Sequence, residues 1–303
     1  MAREHEITQE SAGASVESRL VWIFGSPRSG SSWLLRLLAA RREVTAVNES
    51  YLGVHLVPVG ATPAEGEYFA HGPRAEDPGY FFAARYQPTI RPLLRELVLT
   101  GLENQARELA GGEPVGWIAI KEPNGSHAAD TIVSIVPGSR MIFLLRDGRD
   151  VVDSLLDAML TGDSWWKQED HPGASRPQPN RLEFVRQQSV RWVERTIATQ
   201  RAFESLPGER RLLVRYERLL ADTPRELTRV YEWLDLEVSP RKLEATVDGS
   251  SFDAAPAARR GPGRDMRAAT PGLWRQNLDA TEQALMHEIM GDKLAELGYE
   301  VGR

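Results

Sequence analysis

A glycine- and serine-rich segment near the start of the chain has the composition of a phosphate-binding loop. Residues 25–32 read Gly-Ser-Pro-Arg-Ser-Gly-Ser-Ser, which nearly matches the phosphate-loop pattern G-x-x-x-x-G-K-[ST]. Ser31 replaces the lysine of that pattern, which reaches the β- and γ-phosphates of a nucleoside triphosphate. The segment therefore predicts an anion site built from backbone amides, hydroxyls and the Arg28 guanidinium, without triphosphate hydrolysis. The alternative is a turn that only joins a strand to a helix.

A second segment places an arginine and a serine where they can meet one phosphate. Arg146 follows the apolar run 140–145, and Ser154 lies about one turn into the helix predicted after it. An arginine at a strand end and a serine in the next element can converge on the same anion. The intervening Arg-Asp-Gly-Arg-Asp sequence also suits a turn and a helix cap, so a solvated charge cluster is the alternative.

These two segments resemble parts of the sulfotransferases that use 3'-phosphoadenosine 5'-phosphosulfate (PAPS). Pro27-Arg28-Ser29-Gly30-Ser31-Ser32-Trp33 is similar to the family's 5'-phosphosulfate loop, which reads roughly P-[KR]-S-G-[ST]-[ST]-[WL]. The resemblance implies that this loop binds the sulfate-bearing 5'-phosphate and that Trp33 stacks on adenine. A core residue on a helix face is the alternative for Trp33.

The same family carries a strand, an R-D-G-R-D sequence, a helix and a serine in this order. The resemblance implies that Arg146 and Ser154 bind the 3'-phosphate, the group that distinguishes PAPS from ordinary adenine nucleotides. Tyr216, in Val-Arg-Tyr-Glu-Arg-Leu, matches a family tyrosine that contacts adenine. A core aromatic residue is the alternative for Tyr216.

A late segment extends the resemblance. Arg267 lies seven residues before Trp274, which is similar to the family's R-K-G-x-x-G-x-W-[KR] loop that closes over the 3'-phosphate. Ala268 and Ala269 replace the usual lysine and glycine. The triplet at 259–261, Arg-Arg-Gly, looks more like R-K-G but stands too far from the tryptophan.

The resemblance also implies the catalytic groups. Lys121 ends a predicted strand, where many members have a lysine and where α/β sheets place their chemistry, so it is assigned to the leaving phosphate oxygen. Cytosolic small-molecule members carry K-T-H here with the histidine as base, whereas this chain has Lys121-Glu122-Pro123, similar to the K-D-P of tyrosylprotein sulfotransferases. The base of that group is a glutamate whose ungapped match is Glu49, and His55 is the alternative base. Arg28 adds a further positive charge, and no metal is required.

The elements that must position these residues alternate along the chain. The predicted strands are continuously apolar and span 20–24, 44–47, 115–120, 140–145 and 211–215. The predicted helices span 90–109, 127–136, 150–160, 181–206, 223–234 (with Thr223 as N-cap and Pro224 at its first position) and 281–297. This alternation predicts an α/β fold with a central parallel sheet flanked by helices, and the resemblance implies the P-loop NTPase-like sulfotransferase fold. We expect one sulfotransferase domain over 19–303 after a disordered N-terminal tail at 1–18.

The composition and net charge of the chain exclude several classes of function. The 303 residues carry a formal net charge of −6 and no cysteine, which excludes disulfides and cysteine nucleophiles and argues against a nucleic-acid partner. No apolar run approaches the length of a membrane span, and 1–18 lacks a signal-peptide core. We therefore expect a cytoplasmic protein without a membrane span, and we leave self-association into a homodimer open.

The acceptor is expected to be a small molecule, metabolite or carbohydrate rather than a protein. The resemblance is silent over 53–113 and 161–180, which we expect to build the acceptor pocket. Aromatic residues there line either that pocket or the core: Tyr68, Phe69, Tyr80, Phe81, Phe82, Trp165 and Trp166. Two other classes stay open, a nucleotide-binding regulatory protein without chemistry and a P-loop kinase, although the missing lysine argues against the kinase.

Overall fold

A five-stranded sheet forms the centre of the computed structural model, which describes residues 16–57, 76–161, 180–252, 254–264 and 267–301. The strands are β1 (Leu20–Phe24), β2 (Val44–Asn48), β3 (Trp117–Lys121), β4 (Arg140–Leu145) and β5 (Arg211–Arg215). Their order in the sheet is β2-β3-β1-β4-β5. β1 pairs in parallel with β3 and β4, and β2 pairs in parallel with β3. The predicted α/β fold with a central parallel sheet flanked by helices is confirmed.

Helices occupy most of the remaining described chain. In order they are α1 (Ser31–Ala39), α2 (Leu52–Leu56), α3 (Gln87–Leu109), α4 (Ala129–Ile135), α5 (Gly148–Leu160), α6 (Arg181–Ser205), α7 (Tyr216–Ala221), α8 (Thr223–Trp233), α9 (Pro240–Gly249), α10 (Trp274–Asn277) and α11 (Ala280–Glu296). Short 3₁₀ turns lie at Ala84–Tyr86, Ser126–Ala128, Gly208–Arg210 and Ala257–Arg259.

The chain divides into two compact units. Unit 1 comprises residues 1–25, 31–143 and 196–213, and it holds β1, β2, β3 and the helices α1 to α4. Unit 2 comprises residues 26–30, 144–195 and 214–303, and it holds α5 and the helices α7 to α11.

The strands of unit 1 form because their sequences can be buried on both faces. All five residues of β1 are buried, as expected for a continuously apolar strand in a covered parallel sheet. The register pairs Ile23 with Lys121 and Phe24 with Phe143. Because parallel strands point the same way, β1, β3 and β4 end at the same edge of the sheet, where open α/β sheets place their ligands.

Helix α1 begins directly after the glycine-rich loop. Its apolar face buries Leu34, Leu35, Leu37 and Leu38, which fixes the helix in unit 1 by burial of apolar surface. Ser31 is buried, Ser32 is exposed and Trp33 is half-buried. The first turn of α1 therefore presents hydroxyl groups at the start of the helix.

Several predicted elements have ends that differ from the structure by up to three residues, and two further details are wrong. The N-cap of α8 is Asp222, whose carboxylate accepts from the Arg225 amide at 3.2 Å, and not Thr223, which is already helical. A carboxylate is a strong cap acceptor, and Pro224 is tolerated in the first turn either way. The predicted elements also include no helix at 52–56, where the structure has α2.

The described chain begins inside the segment assigned to the N-terminal tail. Val16 and Glu17 are buried. One carboxylate oxygen of Glu17 accepts from the Gly138 amide at 2.7 Å, and the other pairs with Arg95. Residues 1–15 lie outside the described residues.

Candidate active site

The loop that follows β1 bends tightly between Ser26 and Gly30. The Ser29 amide donates to the Ser26 carbonyl at 3.1 Å, and Arg28 and Gly30 have positive φ angles of 69° and 90°. Such a backbone can turn neighbouring N–H groups toward one point and form a concave anion site. Glycine is required at position 30, because a Cβ there would lie 2.6 Å from the Tyr216 ring and the φ angle disfavours other residues.

Three side chains predicted to bind phosphate meet in unit 2. Arg28 Nε donates to Ser154 Oγ at 3.0 Å, and Arg28 Nη2 donates to the Arg264 carbonyl at 2.8 Å. Arg146 Nη1 donates to the Arg28 carbonyl at 2.6 Å. Two guanidinium groups and a hydroxyl thus share one small region, which is the donor set that phosphate oxygens prefer.

Aromatic rings hold two arginines of this unit in place. The Arg146 guanidinium carbon lies 4.4 Å from the centroid of the Tyr216 ring, and that of Arg149 lies 4.3 Å from the Trp274 ring. Cation–π contacts of this kind orient the planar guanidinium groups. Burial raises the pKa of Tyr216, and the charge of Arg146 opposes that rise. Tyr216 is therefore a neutral ring surface and not a proton donor or acceptor near neutral pH.

Several buried polar atoms of unit 2 have no hydrogen-bond partner among the described residues. These atoms are Ser26 Oγ, Ser29 Oγ, Arg146 Nε and Trp274 Nε1. Each such atom costs free energy, on the order of 1–3 kcal/mol, unless a ligand or water pairs with it. Ser26 and Ser29 lie in the loop itself, and Arg146 is bonded to the loop backbone. The local donor set therefore fits a polyanion.

Acidic residues along α5 contact the late segment, which is the described chain at 263–264 and 267–273 before α10. Asp150 accepts from the Gly272 amide at 2.8 Å, Asp153 pairs with Arg267 Nη1 at 2.6 Å, and Asp157 accepts from the Gly263 amide at 2.7 Å. These carboxylates recur at helical spacing and so face one side of α5. Arg267 thus lies against Asp153 in this structure, with 16% of its side chain exposed.

One residue of the late segment has the left-handed backbone conformation that glycine usually adopts. Ala269, which stands where the sulfotransferase pattern has a glycine, has a φ angle of 48°. A left-handed conformation costs an alanine roughly 1–2 kcal/mol. The contacts of Asp150 and Asp153 with this segment compensate part of that cost.

In unit 1, Lys121 and Glu49 form a buried ion pair. Lys121 is the last residue of β3 and is 5% exposed. Its ammonium group lies 2.8 Å from Glu49 Oε1 and 3.0 Å from Ser32 Oγ. The Glu49 amide donates to the Lys121 carbonyl at 3.0 Å. A carboxylate and an ammonium group in contact, beside the first turn of α1, can take a proton and stabilise a developing negative charge.

Two further residues, which the sequence did not single out, contact this ion pair or the start of the glycine-rich loop. Asn124 donates from its side-chain amide to Glu49 Oε2, so both carboxylate oxygens of Glu49 have partners. Ser126 is fully buried; its Oγ accepts from the Gly25 amide at 2.9 Å and lies 2.8 Å from the Gly25 carbonyl. Ser126 therefore anchors the residue from which the glycine-rich loop departs. Their only signal in the sequence is that both lie within five residues of Lys121.

Glu122 is the most deeply buried carboxyl of this region. It is 0% exposed, and its Oε2 accepts from Ser50 Oγ at 2.5 Å. Burial raises the pKa of Glu122; the Ser50 hydroxyl lowers it, the charge of Glu49 raises it, and the amides of Gly53 and Tyr51 lower it. The balance leaves the carboxyl harder to ionise than one in water.

The family model described as "Sulfotransferase family" matches residues 21–240, more than two thirds of the chain. The chain belongs to the sulfotransferase family. The match contains the glycine-rich loop, Glu49, Lys121, Arg146 and Ser154, and it ends before Trp274 and the late segment that contains Arg267.

Solved sulfotransferase structures share the fold at low sequence identity. The mouse sulfotransferase SULT7A1 complexed with PAP is 13% identical, with a TM-score of 0.54 over 91% of this chain and 84% of that chain. The sulfotransferase domain of the Synechococcus PCC 7002 olefin synthase is 16% identical, with a TM-score of 0.54 over 93% and 95%. STF9 from Mycobacterium avium is 16% identical, with a TM-score of 0.52 over 94% and 78%. No curated protein matches the chain in sequence.

The remaining residues predicted from the sulfotransferase resemblance lie in various environments. His55 is exposed on α2. A second histidine of this unit, His127, had no predicted catalytic role; it is buried, with its Nε2 2.8 Å from the Val57 carbonyl. Of the aromatic residues expected to line either the acceptor pocket or the core, Phe81 is 70% exposed and Phe82 is half-buried, and their rings meet edge to face. Four others lie outside the described residues: Tyr68, Phe69, Trp165 and Trp166.

Membrane-spanning helices and groups of three or more metal-binding side chains are both absent from the described residues. No described helix is both long and apolar enough to cross a lipid bilayer. The described His, Asp and Glu side chains form no group of three or more that could hold a metal ion.

The raised pKa of Glu122 predicts a pH-dependent effect of the variant Glu122→Gln. A carboxyl with a raised pKa in the folded state contributes most to stability below its ordinary pKa near 4.5, and that contribution is lost as the pH rises through the folded value. Glutamine does not titrate. We therefore expect the free energy of unfolding of the variant, relative to wild type, to increase as the pH rises above the ordinary glutamate pKa. Urea unfolding at several pH values measures it, and a constant difference would contradict the pKa direction.

Proposed function

We propose that this sulfotransferase transfers a sulfuryl group from PAPS to a hydroxyl group of a small-molecule acceptor and releases adenosine 3',5'-bisphosphate (PAP). The observation that carries the proposal is the donor cluster of Arg28, Arg146 and Ser154 beside a glycine-rich loop that contains unpaired buried hydroxyls. A nucleotide with phosphates on both the 5' and 3' positions of its ribose needs cationic contacts at two separate positions, unlike an ordinary adenine nucleotide. The PAP complex of a structural neighbour supports this choice of donor.

Each part of the donor has a proposed set of contacts. The amides and hydroxyls of the loop from Pro27 to Ser32 bind the 5'-phosphosulfate, with added charge from the helix dipole of α1. Arg146 and Ser154 bind the 3'-phosphate, and Arg267 approaches it from the late segment. The rings proposed for the adenine and its surroundings are those of Trp33, Tyr216 and Trp274.

The reaction itself needs a base and a cation. In the proposed step, Glu49 takes the proton of the acceptor hydroxyl while the acceptor oxygen forms a bond to sulfur. The bond from sulfur to the 5'-phosphate oxygen breaks, and the ammonium group of Lys121 stabilises the charge that develops on that oxygen. Glu49 is preferred over His55 because its carboxylate contacts Lys121 directly, whereas His55 is exposed on α2.

A calorimetric titration tests the donor assignment. We expect PAP to bind at least about tenfold more tightly than ADP or adenosine 5'-monophosphate, which lack the 3'-phosphate, because one or more charge-assisted hydrogen bonds depend on it. The same preference is expected in the presence of a chelator such as EDTA. Equal affinity for PAP and ADP would contradict the proposal.

An acceptor screen tests the chemistry. Sulfur-labelled PAPS is incubated with phenols, aliphatic alcohols, sugars and a tyrosine-containing peptide, and labelled products are separated. We expect transfer to a member of the small-molecule classes. Tight binding of PAP without transfer to any acceptor would instead indicate a nucleotide-binding protein that lacks catalytic activity.

A further inference from the structure

The turn that carries Glu49 adopts an unfavourable backbone conformation. Between β2 and α2, Glu49 and Tyr51 have φ angles of 60° and 55°. Non-glycine residues are uncommon in this left-handed region, and each costs on the order of 1 kcal/mol. Such strain persists only where surrounding contacts hold the backbone in place. The contacts around this turn therefore decide where the Glu49 carboxylate points.

Glu122 supplies the central contact of this turn. Its buried carboxylate accepts from Ser50 Oγ at 2.5 Å, and Ser50 lies between the two residues of positive φ. The Ser50 hydroxyl also lies 3.4 Å from the Leu52 amide at the start of α2. One buried side chain is thus linked, through one hydroxyl, to the backbone on both sides of Tyr51.

The space around this carboxyl is closed by two glycines. A Cβ on Gly53 would lie 2.3 Å from the Gly125 carbonyl oxygen, and a Cβ on Gly125 would lie 2.2 Å from Glu122 Oε1. The start of α2 therefore packs directly on the backbone that follows β3. The Glu122 carboxyl therefore lies against the Gly125 backbone, which in turn lies against Gly53 at the start of α2.

We propose that Glu122 is a positioning residue of the transfer reaction, which holds the turn 49–52 so that the Glu49 carboxylate stays between Lys121 and Asn124. This inference rests on the proposed function, because Glu49 must be the base for its position to affect the reaction rate. Glu122 itself touches no reacting group. It acts through Ser50 and the backbone of the turn.

The chemistry of the site argues against simple space filling. A buried carboxyl costs free energy that an apolar side chain of similar size would not. Only a side chain with an acceptor atom can bind the Ser50 hydroxyl. Lys121, Glu122 and Asn124, three of four consecutive residues, all contact the turn that carries the base. The segment after β3 therefore positions Glu49 as well as supplying the catalytic lysine.

The test compares Glu122→Ala with Glu122→Gln and with a matched core variant. Leu102→Ala removes a buried side chain of α3 in the same unit and controls for general destabilisation. We expect Glu122→Ala to lower kcat by about 10- to 100-fold, because a small displacement of a catalytic group has effects of this size. KM for the acceptor and the affinity for PAP should change by less than about twofold. Glu122→Gln, which keeps an acceptor for Ser50, should recover most of kcat.

Hydrogen exchange gives a second readout that does not depend on turnover. In Glu122→Ala, amides of residues 50–56 should exchange faster than in wild type, and they should not do so in Leu102→Ala. If Glu122→Ala does not fold, Ser50→Ala takes its place, because it removes the other half of the same hydrogen bond.

The outcomes separate this inference from the proposed function. The positioning role is overturned if Glu122→Ala or Ser50→Ala has the same kcat as wild type. It is also overturned if Leu102→Ala loses as much kcat as Glu122→Ala. If wild type neither binds PAP nor transfers sulfate to any acceptor, the proposed function fails. In that case hydrogen exchange still tests whether Glu122 holds the turn 49–52. Exchange of residues 50–56 that is the same in Glu122→Ala as in wild type overturns this contact, and faster exchange in the variant supports it.

Discussion

Replacing Glu49 by glutamine is expected to lower kcat by about 10²- to 10⁴-fold, the contribution typical of a positioned general base. Glutamine keeps the size of the side chain but cannot accept the proton of the acceptor hydroxyl. The affinity for PAP should change little, because Glu49 is assigned to the acceptor hydroxyl and its side chain contacts Lys121 and Asn124. Steady-state kinetics with labelled PAPS and calorimetry with PAP measure the two quantities separately.

The control for this variant is His55→Ala. His55 is exposed on α2, only a few residues from Glu49, so its removal should leave kcat within about twofold of wild type if it takes no part in proton transfer. A loss of turnover in His55→Ala together with an active Glu49→Gln variant would identify the histidine as the base. Thermal unfolding must be measured beside the kinetics, because Glu49→Gln removes the anionic partner of a buried ammonium group.

The strands of this fold could be predicted because buried strands appear in the sequence as nearly continuous apolar runs. Arg140–Leu145 and Leu20–Phe24 were both predicted with the bounds that the structure has. Helix ends were less predictable, since caps compete locally: α8 is capped by Asp222 although Thr223 is also a suitable cap residue. Helix α2 was missed because a helix of five residues carries too few positions to show a period.

The clusters of the site were predictable only in part. The loop at 25–32 is local in sequence, so its motif could be recognised directly. The bond between Arg28 and Ser154 joins residues 126 positions apart, and only the folded chain brings them together. Glu122 was recognised only as part of the Lys-Glu-Pro sequence. Its burial against Ser50 could not be predicted, because a charged residue after a strand is ordinarily exposed. Asp153 was likewise not distinguished from other helix carboxylates until its contact with Arg267 was known.

Truncation of Arg146 to alanine is expected to have the largest effect on donor binding. Its Nη1 is bonded to the Arg28 carbonyl, and its guanidinium group lies over the Tyr216 ring, so it is already ordered. Its buried Nε has no partner among the described residues. An ordered cation with an unpaired donor can bind a phosphate oxygen with little further loss of conformational entropy.

The expected loss of affinity for PAP in Arg146→Ala follows from the number of hydrogen bonds that the variant cannot make. One or two charge-assisted hydrogen bonds, at about 1.5–3 kcal/mol each, correspond to a loss of roughly 10²-fold or more in the affinity for PAP. The affinity for ADP, which has no 3'-phosphate, should fall much less. Calorimetry with both nucleotides gives the ratio, and that ratio separates a lost 3'-phosphate contact from a general disturbance of the loop.

A matched arginine controls for the change in net charge. Arg218 lies in unit 2 and is exposed, so Arg218→Ala removes the same charge without disturbing the cluster and should leave both affinities within about twofold. Equal losses for PAP and ADP in Arg146→Ala would mean that Arg146 supports the loop backbone through Arg28 and does not recognise the 3'-phosphate. Unchanged affinity for PAP would remove the principal argument for a donor with phosphates at both ends, since Arg146 and Ser154 carry that assignment together.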